Sequence, residues 1–383
     1  MPKSISFPFF NSYKGTSTHN GQTFSFTPTY DKDHHLIRFI VTADDAVSVY
    51  DAIKDAESNG KNVKLSNKEQ KKYNAQLLNL DFGRSYLVKT GRHWLSAFPR
   101  PPVSYFMYES QYFGQEYTIK TKQTHFISMP TQNYLNRLSI DGHRSNPPVS
   151  LRAFRNANED YLSLTLKAIS CAPRVFEIQN FLSSVEIDHI LNLASNIQFS
   201  TTTTTNSRTI RAEDGRTKSP TNTWIDRSSS AIVDSLYRRA ADLLQIDESL
   251  LRHREGYEHT ELATDHSIAE AMQLTHYDEG QEYHTRHDMS FPNISNRYQP
   301  NRFATILIYL NDGMEGGETT FPRSVTADSH SGVKVVPKKG KAILYYNMLP
   351  DGNIDDLSQH AGKEVLKGEK WIANLWVWDP IID

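Results

Sequence analysis

Three separated residues in the last third of the chain, Asp288, His360 and Lys370, have the side-chain types of a metal centre with a cation beside it. Carboxylate oxygens and imidazole nitrogens are common ligands of transition metals, and a lysine ammonium can pair with an anionic ligand. Asp288 is the last residue of the sequence Arg286-His287-Asp288, and Lys370 lies ten residues after His360. Only a fold that brings distant segments together could assemble this set.

The pattern is typical of a non-haem Fe(II) oxygenase, which needs two histidines and one carboxylate on one face of the metal. The remaining coordination positions stay open for 2-oxoglutarate and dioxygen. A histidine and an aspartate two residues apart on one strand point to the same face. A distant strand supplies the second histidine, and a cation pairs with the far carboxylate of the cosubstrate. Asp288, His360 and Lys370 fit three of these four roles in the right order.

The stretch from about residue 175 to 380 resembles the prolyl 4-hydroxylase family. The resemblance rests on Tyr277, Gly280, Gln281, Tyr283, Asp288, Lys370, Trp371 and residues 302–312, 316–322, 337–340 and 360–362. It covers a little over half of the chain and none of the first 165 residues. It implies a double-stranded β-helix, or jelly roll, and hydroxylation of a peptidyl proline.

The resemblance also implies roles for individual residues. Asp288 and His360 would bind iron, and Lys370 would pair with the C5 carboxylate of 2-oxoglutarate. Tyr277 and Thr305 would hydrogen-bond the cosubstrate. The expected cofactors are Fe(II) and 2-oxoglutarate, with ascorbate as reductant.

Arg286 departs from the family pattern, because it stands where the family has its first metal histidine, two residues before Asp288. A guanidinium stays protonated and has no lone pair to offer a metal. Residues two apart share a strand face. We therefore expect Arg286 to form an ion pair with Asp288 and to close the metal position.

Three alternatives stay open at this position. His287 could replace the missing ligand if a β-bulge turned its side chain toward the metal, since bulges occur next to active sites. His284, four residues before Asp288, is a second candidate ligand. Arg286 could also be a variant in one copy of an otherwise active lineage.

Two helices and a series of short strands must position these residues. Ser183 and Glu186 predict a capping box at the start of the first helix, and apolar residues at helical spacing over residues 232–244 predict the second. Strands are predicted over residues 175–178, 272–277, 283–288, 303–310, 333–336, 341–346 and 371–378. Helices followed by strands indicate a mostly β fold with a helical buttress.

The first 165 residues read as a separate α+β domain to which no chemistry can be assigned. Residues 36–41 predict a strand, and apolar residues over 46–56 predict a helix with Thr42 or Asp44 near its N-cap. The predicted organisation is a domain of unknown function over residues 1–165 and an oxygenase-like domain over residues 166–383.

Composition and charge narrow the classes of partner. A net charge of −2 favours neither nucleic acid nor a membrane as the main partner. Cys171 is the single cysteine, which excludes an intrachain disulfide and a Cys-rich zinc site. We find no signal peptide and no apolar run of about 18 residues that could span a bilayer. A cytoplasmic protein is the default expectation, although enzymes of the family it resembles are often in the endoplasmic reticulum.

Three functions follow as hypotheses. The first is hydroxylation of a proline-containing peptide or protein, which the loop at residues 216–219 would contact because it matches a segment near the family's peptide groove. The second is a peptide-binding module that keeps the groove and lacks turnover because of Arg286. The third is an oxygenase with another substrate, such as a small metabolite or a lipid.

Overall fold

The structure is a computed structural model of the chain. It describes residues 102–127, 161–195, 197, 199–201, 219–252, 267–290, 299–324, 332–350 and 352–379, and the backbone of four strands before residue 100. The chain forms two compact units. One comprises Met1–Val103, Met289–Pro300 and Met348–Leu357, and the other comprises Ser104–Asp288, Asn301–Asn347 and Ser358–Asp383.

The first unit contains a four-stranded sheet. Its strands are β1 (Gly15–His19), β2 (Gln22–Tyr30), β3 (Leu36–Thr42) and β4 (Trp94–Ala97), in that order across the sheet. The first three pair antiparallel, whereas β4 pairs parallel with β3. The strand predicted over residues 36–41 is confirmed. The helix predicted over residues 46–56 lies outside the described residues, so the α+β assignment stays a prediction.

A nine-stranded sheet, of order β5-β6-β7-β16-β12-β19-β10-β9-β8, forms one layer of the second unit. Its strands are β5 (Glu116–Lys122), β6 (Tyr161–Cys171), β7 (Arg174–Ile178), β8 (Ser200–Thr201), β9 (Thr221–Ile225), β10 (Met272–Tyr277), β12 (Asn301–Tyr309), β16 (Ala342–Tyr346) and β19 (Lys370–Asp379). The central strands β16, β12 and β19 are buried along almost their whole length. Their nearly continuous apolar sequences agree with burial on both faces.

A four-stranded sheet of order β11-β17-β14-β15 forms the second layer. Its strands are β11 (Tyr283–Arg286), β14 (Thr319–Phe321), β15 (Val333–Val335) and β17 (His360–Gly362), and a short ribbon pairs β13 (Glu315–Gly316) with β18 (Val365–Lys367). Both layers contribute to one apolar core, with Tyr345 and Ile372 from the large sheet and Phe321 and Val335 from the small one. Two antiparallel sheets over a shared core define the jelly-roll type that the sequence predicts.

The seven strands predicted after residue 166 are all present, with ends that differ by at most two residues. The difference that matters is in β11, which ends at Arg286, so Asp288 lies in the following loop and not in the strand. The predicted domain boundary at residue 165 falls within β6, which pairs with β5 and β7. The division into residues 1–165 and 166–383 stays a prediction, and the pairing adds residues 116–122 to the sheet of the second domain.

Two α-helices, α1 (Ser184–Ser195) and α2 (Ala231–Leu244), support the nine-stranded sheet. The predicted capping box of α1 is confirmed, because the Ser183 N–H donates to the Glu186 carboxylate at 2.9 Å and the Glu186 N–H donates to Ser183 Oγ at 3.2 Å. On α2, Asp242 accepts a hydrogen bond from Thr121 of the edge strand β5 at 2.6 Å. In the part of the chain that the structure covers, no helix combines the length and apolar character that a bilayer crossing requires.

Arg239 of α2 joins both helices to the segment that follows β5. Its guanidinium is fully buried and pairs with Glu186 of α1, with Nη1 at 3.1 Å from Oε2. It also donates to the carbonyl oxygens of Phe181 and His125, the latter from Nε at 2.9 Å. A buried charge is tolerated when it is both paired and hydrogen-bonded, and Arg239 meets both conditions.

We expect Arg239→Met to lower the free energy of unfolding by about 3–5 kcal/mol, because Glu186 would be left buried and unpaired. Urea denaturation measures this change. Arg238→Met is the matched control, since Arg238 is a partly exposed neighbour on α2 that pairs with Asp234 at 2.7 Å. It should cost less than about 1 kcal/mol, and equal losses in the two variants would contradict the structural role of Arg239.

Candidate active site

One row of polar side chains crosses the three central strands. Thr305 of β12 is the Cα partner of Tyr345 on β16 and of Trp376 on β19. Cross-strand partners project to the same face of a sheet. All three donate to one atom, Oδ2 of Asp288, at 2.9 Å from Thr305 Oγ1, 2.6 Å from Tyr345 OH and 3.0 Å from Trp376 Nε1.

Asp288 is therefore a buried carboxylate, and three neutral donors stabilise its negative charge. Burial alone would raise the pKa of Asp288, but His360, Arg286 and the Tyr345 hydroxyl hold it well below its ordinary value. The carboxylate thus stays ionised at neutral pH. Arg302 also holds the backbone in place, because its Nη1 donates to the Asp288 carbonyl oxygen at 3.1 Å.

His360 at the start of β17 is the second group in the site. Its Nδ1 lies 3.0 Å from the carbonyl oxygen of Ser358. A carbonyl oxygen only accepts, so Nδ1 must carry a proton. Nε2 faces Asp288, at 3.3 Å from Oδ1. Histidines that ligate a metal or act as an acid or base commonly donate one ring N–H to a backbone carbonyl and direct the other ring nitrogen into the site. His360 has this arrangement.

Arg286 ends β11 directly opposite His360 of β17. The register shifts between Tyr283 and Arg286, so that one extra residue of β11 is accommodated there. The predicted ion pair is present, because Arg286 Nε lies 3.7 Å from Asp288 Oδ1. The guanidinium carbon lies 3.5 Å from the ring centre of Tyr283, a cation–π contact. Burial alone would lower the pKa of Arg286, but the Asp288 carboxylate raises it, so the charge is permanent.

Lys370, the first residue of β19, is the Cα partner of Tyr277 at the end of β10. Its side chain is 1% exposed, and its Nζ lies 4.9 Å from the Tyr277 ring centre without a hydrogen-bond partner among the described residues. Burial, and then the charge of Arg286, lower the pKa of Lys370 to about 7, and Glu318 offsets only part of this. An unpaired buried ammonium is unfavourable, so this position suits an anionic ligand.

Gly317 leaves the space that the Lys370 side chain fills. Its φ of +72° is left-handed, and a Cβ there would lie 3.3 Å from Lys370 Cδ. A larger residue would therefore be strained in its backbone and would press on the lysine.

The residues present do not fit an iron ion held by two histidines and one carboxylate. Asp288 and His360 could contribute two ligands. Across the described ranges, no three His, Cys, Asp or Glu side chains lie together as a metal site requires. His287 and His284 are not grouped with Asp288 and His360 in this arrangement, and the guanidinium of Arg286 lies beside Asp288 instead.

Other predicted site positions are only partly covered by the structure. The Thr305 hydroxyl, expected to contact the cosubstrate, donates to Asp288 and accepts from Asn347 Nδ2 at 2.9 Å. Of the loop expected to contact substrate, residues 216–218 lie outside the described residues. The cosubstrate roles of Tyr277, Thr305 and Lys370 stay predictions.

Sequence reasoning missed Tyr345, Trp376 and Asn347, which surround Asp288 or its partner Thr305. Aromatic residues in apolar strands read as core, so their types carried no signal. Register could have identified Tyr345 and Trp376, since the cross-strand partners of Thr305 share its face. Register follows from strand pairing, which the linear sequence does not display.

Comparison with known proteins assigns the class of this site. The 2OG-Fe(II) oxygenase superfamily matches residues 272–378. Probable prolyl 4-hydroxylase 8 of Arabidopsis thaliana is 30% identical over 223 residues, which cover 55% of this chain and 70% of that protein. Prolyl 4-hydroxylase 2 of the same plant is 30% identical over 227 residues, which cover 55% of this chain and 69% of that protein.

Among solved structures, the viral collagen prolyl hydroxylase from Paramecium Bursaria Chlorella virus-1, in its 2OG complex, is 25% identical. That match covers 53% of this chain and 95% of the viral chain, with a TM-score of 0.38. The superfamily match and the curated relatives place the C-terminal half of the chain in the 2-oxoglutarate and Fe(II) oxygenase class. Within that class, the chain belongs to the prolyl 4-hydroxylase family, which confirms the resemblance.

We expect Lys370→Met to stabilise the ligand-free protein most at pH 7 and below. The lysine titrates near its ordinary pKa of 10.5 when unfolded and at about 7 when folded. The unfolded state therefore binds more protons between these values, and wild-type stability rises with pH there. The stability difference between variant and wild type should shrink from pH 7 to pH 9 in urea denaturation without dicarboxylates. A difference that does not change with pH would show that Lys370 is not buried as a cation.

Proposed function

We propose that this chain is a member of its family in which iron-dependent hydroxylation is impaired and which serves as a binding module for proline-containing peptides or proteins. The observation that carries the proposal is the position of Arg286, whose Nε lies 3.7 Å from Asp288 Oδ1. The substitution removes one imidazole ligand and adds a permanent positive charge at the same place.

Charge repulsion between Arg286 and a divalent cation supports the proposed loss of iron binding. A unit charge about 4 Å from a divalent cation opposes its binding by roughly 8 kcal/mol at an effective dielectric constant near 20. The Asp288 carboxylate, which would otherwise attract the metal, is also partly neutralised by Arg286. The loss of a ligand adds to this electrostatic cost.

The presence of Lys370, the residue expected to pair with the cosubstrate, supports ligand binding. Lys370 is buried beside Tyr277 without a hydrogen-bond partner in the described part of the chain, as a residue that receives a carboxylate would be. Binding of proline-containing peptides is supported by family membership, since the relatives matched over about 70% of their length are named as prolyl 4-hydroxylases.

Active prolyl hydroxylation is the second candidate function. The observation that favours it is the Asp288–His360 pair, which keeps two candidate metal ligands 3.3 Å apart in a buried setting. Fe(II) and 2-oxoglutarate would then be required, and ascorbate would be the reductant. This candidate needs iron to bind despite Arg286.

An anaerobic titration with Fe(II) and 2-oxoglutarate separates the two candidates. We expect the visible metal-to-ligand charge-transfer band to be absent from the wild-type protein and to appear in Arg286→His, because the variant restores a neutral nitrogen ligand. In both proteins, a fluorescent oligoproline peptide should bind with similar affinity, measured by polarisation.

Arg286→Met is the control for this titration, since it removes the charge without adding a ligand. A weak band in this variant would indicate that charge repulsion is the main obstacle. A clear band in the wild-type protein would contradict the proposed impairment and support active hydroxylation. If none of the three proteins gave a band, the assignment of Asp288 and His360 as metal ligands would be wrong.

A further inference from the structure

Two cationic side chains of the site each have a buried nitrogen without a hydrogen-bond partner among the described residues. These are Arg286 Nη1 and Lys370 Nζ. Each nitrogen is shielded from solvent, and burying a charged donor without a partner is costly. Two such groups in one site suggest that an anionic ligand completes the arrangement.

Gly362 lies beside both of the tyrosines that the two cations contact. A Cβ at Gly362 would lie 3.3 Å from the Tyr277 hydroxyl and 3.5 Å from Tyr283 Cβ. Lys370 Nζ lies 4.9 Å from the ring centre of Tyr277, and the Arg286 guanidinium carbon lies 3.5 Å from that of Tyr283. Lys370 and Arg286 thus lie against the rings of two tyrosines beside Gly362, and the charge of Arg286 is near enough to lower the pKa of Lys370.

The Asp288 carboxylate leaves part of the Arg286 guanidinium available. Three neutral groups already donate to Asp288 Oδ2, and its Oδ1 lies near His360 Nε2 and Arg286 Nε. Arginine has five N–H donors in a planar fork, so Nη1 can serve another acceptor. The fork matches the geometry of a carboxylate.

We propose that Arg286 and Lys370 form a metal-independent site for a short dicarboxylate of the 2-oxoglutarate or succinate type. Lys370 pairs with one carboxylate, and Arg286 binds the other in place of a metal ion. Two cations against separate tyrosine rings favour a ligand with two separated anionic groups over one compact anion. This inference rests on the proposed function, because it requires that Arg286 and not iron is the partner of the ligand.

Isothermal titration calorimetry with 2-oxoglutarate and with succinate, in buffer containing EDTA, tests the site. We expect the wild-type protein to bind one dicarboxylate with an affinity that EDTA does not change. Arg286→Met and Lys370→Met should each weaken binding at least tenfold. Inorganic phosphate is the compact anion for comparison, and binding of phosphate as tight as that of the dicarboxylates would overturn the proposal.

Lys341→Met is the matched control for Lys370→Met. Lys341, the residue before β16 of the nine-stranded sheet, is also a buried lysine. Its Nζ already has a carboxylate partner in Glu177 at 3.3 Å. Lys341→Met should keep dicarboxylate affinity within a factor of two and should lower the melting temperature. Lys370→Met should raise the melting temperature of the ligand-free protein, which a merely structural lysine would not do.

The outcomes separate this inference from the proposed function. Binding that appears only after Fe(II) is added, together with a charge-transfer band in the wild-type protein, would overturn both. If no dicarboxylate bound with or without Fe(II), and the wild-type protein gave no band, the dicarboxylate site would be overturned. The proposal that iron binding is impaired would still stand. Loss of EDTA-resistant binding in Arg286→His, with a gain of Fe(II)-dependent binding, would support both.

Discussion

The buried negative charge of Asp288 is the constraint on which the arrangement of the site between the two sheets depends. Thr305, Tyr345 and Trp376 come from three adjacent strands, and all donate to the same carboxylate oxygen. A buried acceptor that loses its donors costs more than an ordinary hydrogen bond contributes. The register of β12 with β16 and with β19 is therefore coupled to the site, since a slip of one residue would turn the donor on the shifted strand away from Asp288.

Arg286 changes the electrostatic character of that site. A histidine at this position would be a metal ligand, whereas a guanidinium is a permanent cation that repels metals and attracts carboxylates. Together with Lys370 it turns a space typical of a metal and an anionic cosubstrate into one that favours the anion alone.

Arg239 shows by contrast what a structural buried arginine looks like in the same chain. It is paired with Glu186 and donates to two backbone carbonyl oxygens, so its charge is compensated within the protein. Arg286 has one longer contact to Asp288, lies over Tyr283 and retains a buried nitrogen with no partner among the described residues. The difference in hydrogen-bond satisfaction distinguishes a residue that completes the fold from one that suits a ligand.

The sequence by itself determined the class of the domain and most of its elements, because those signals are local. The capping box of Ser183 and Glu186, the strand segments and the order of Asp288, His360 and Lys370 all depend on residue type and spacing along the chain. The Arg286–Asp288 ion pair was predicted from a shared strand face, but Asp288 lies in the loop after β11, so the contact depends on the path of that loop. Only the tertiary structure decided that Tyr345 and Trp376 donate to Asp288, and that Arg286 and Lys370 lie against two tyrosines beside Gly362. Those relations depend on register and on the packing of two sheets, which bring together residues that are far apart in the chain.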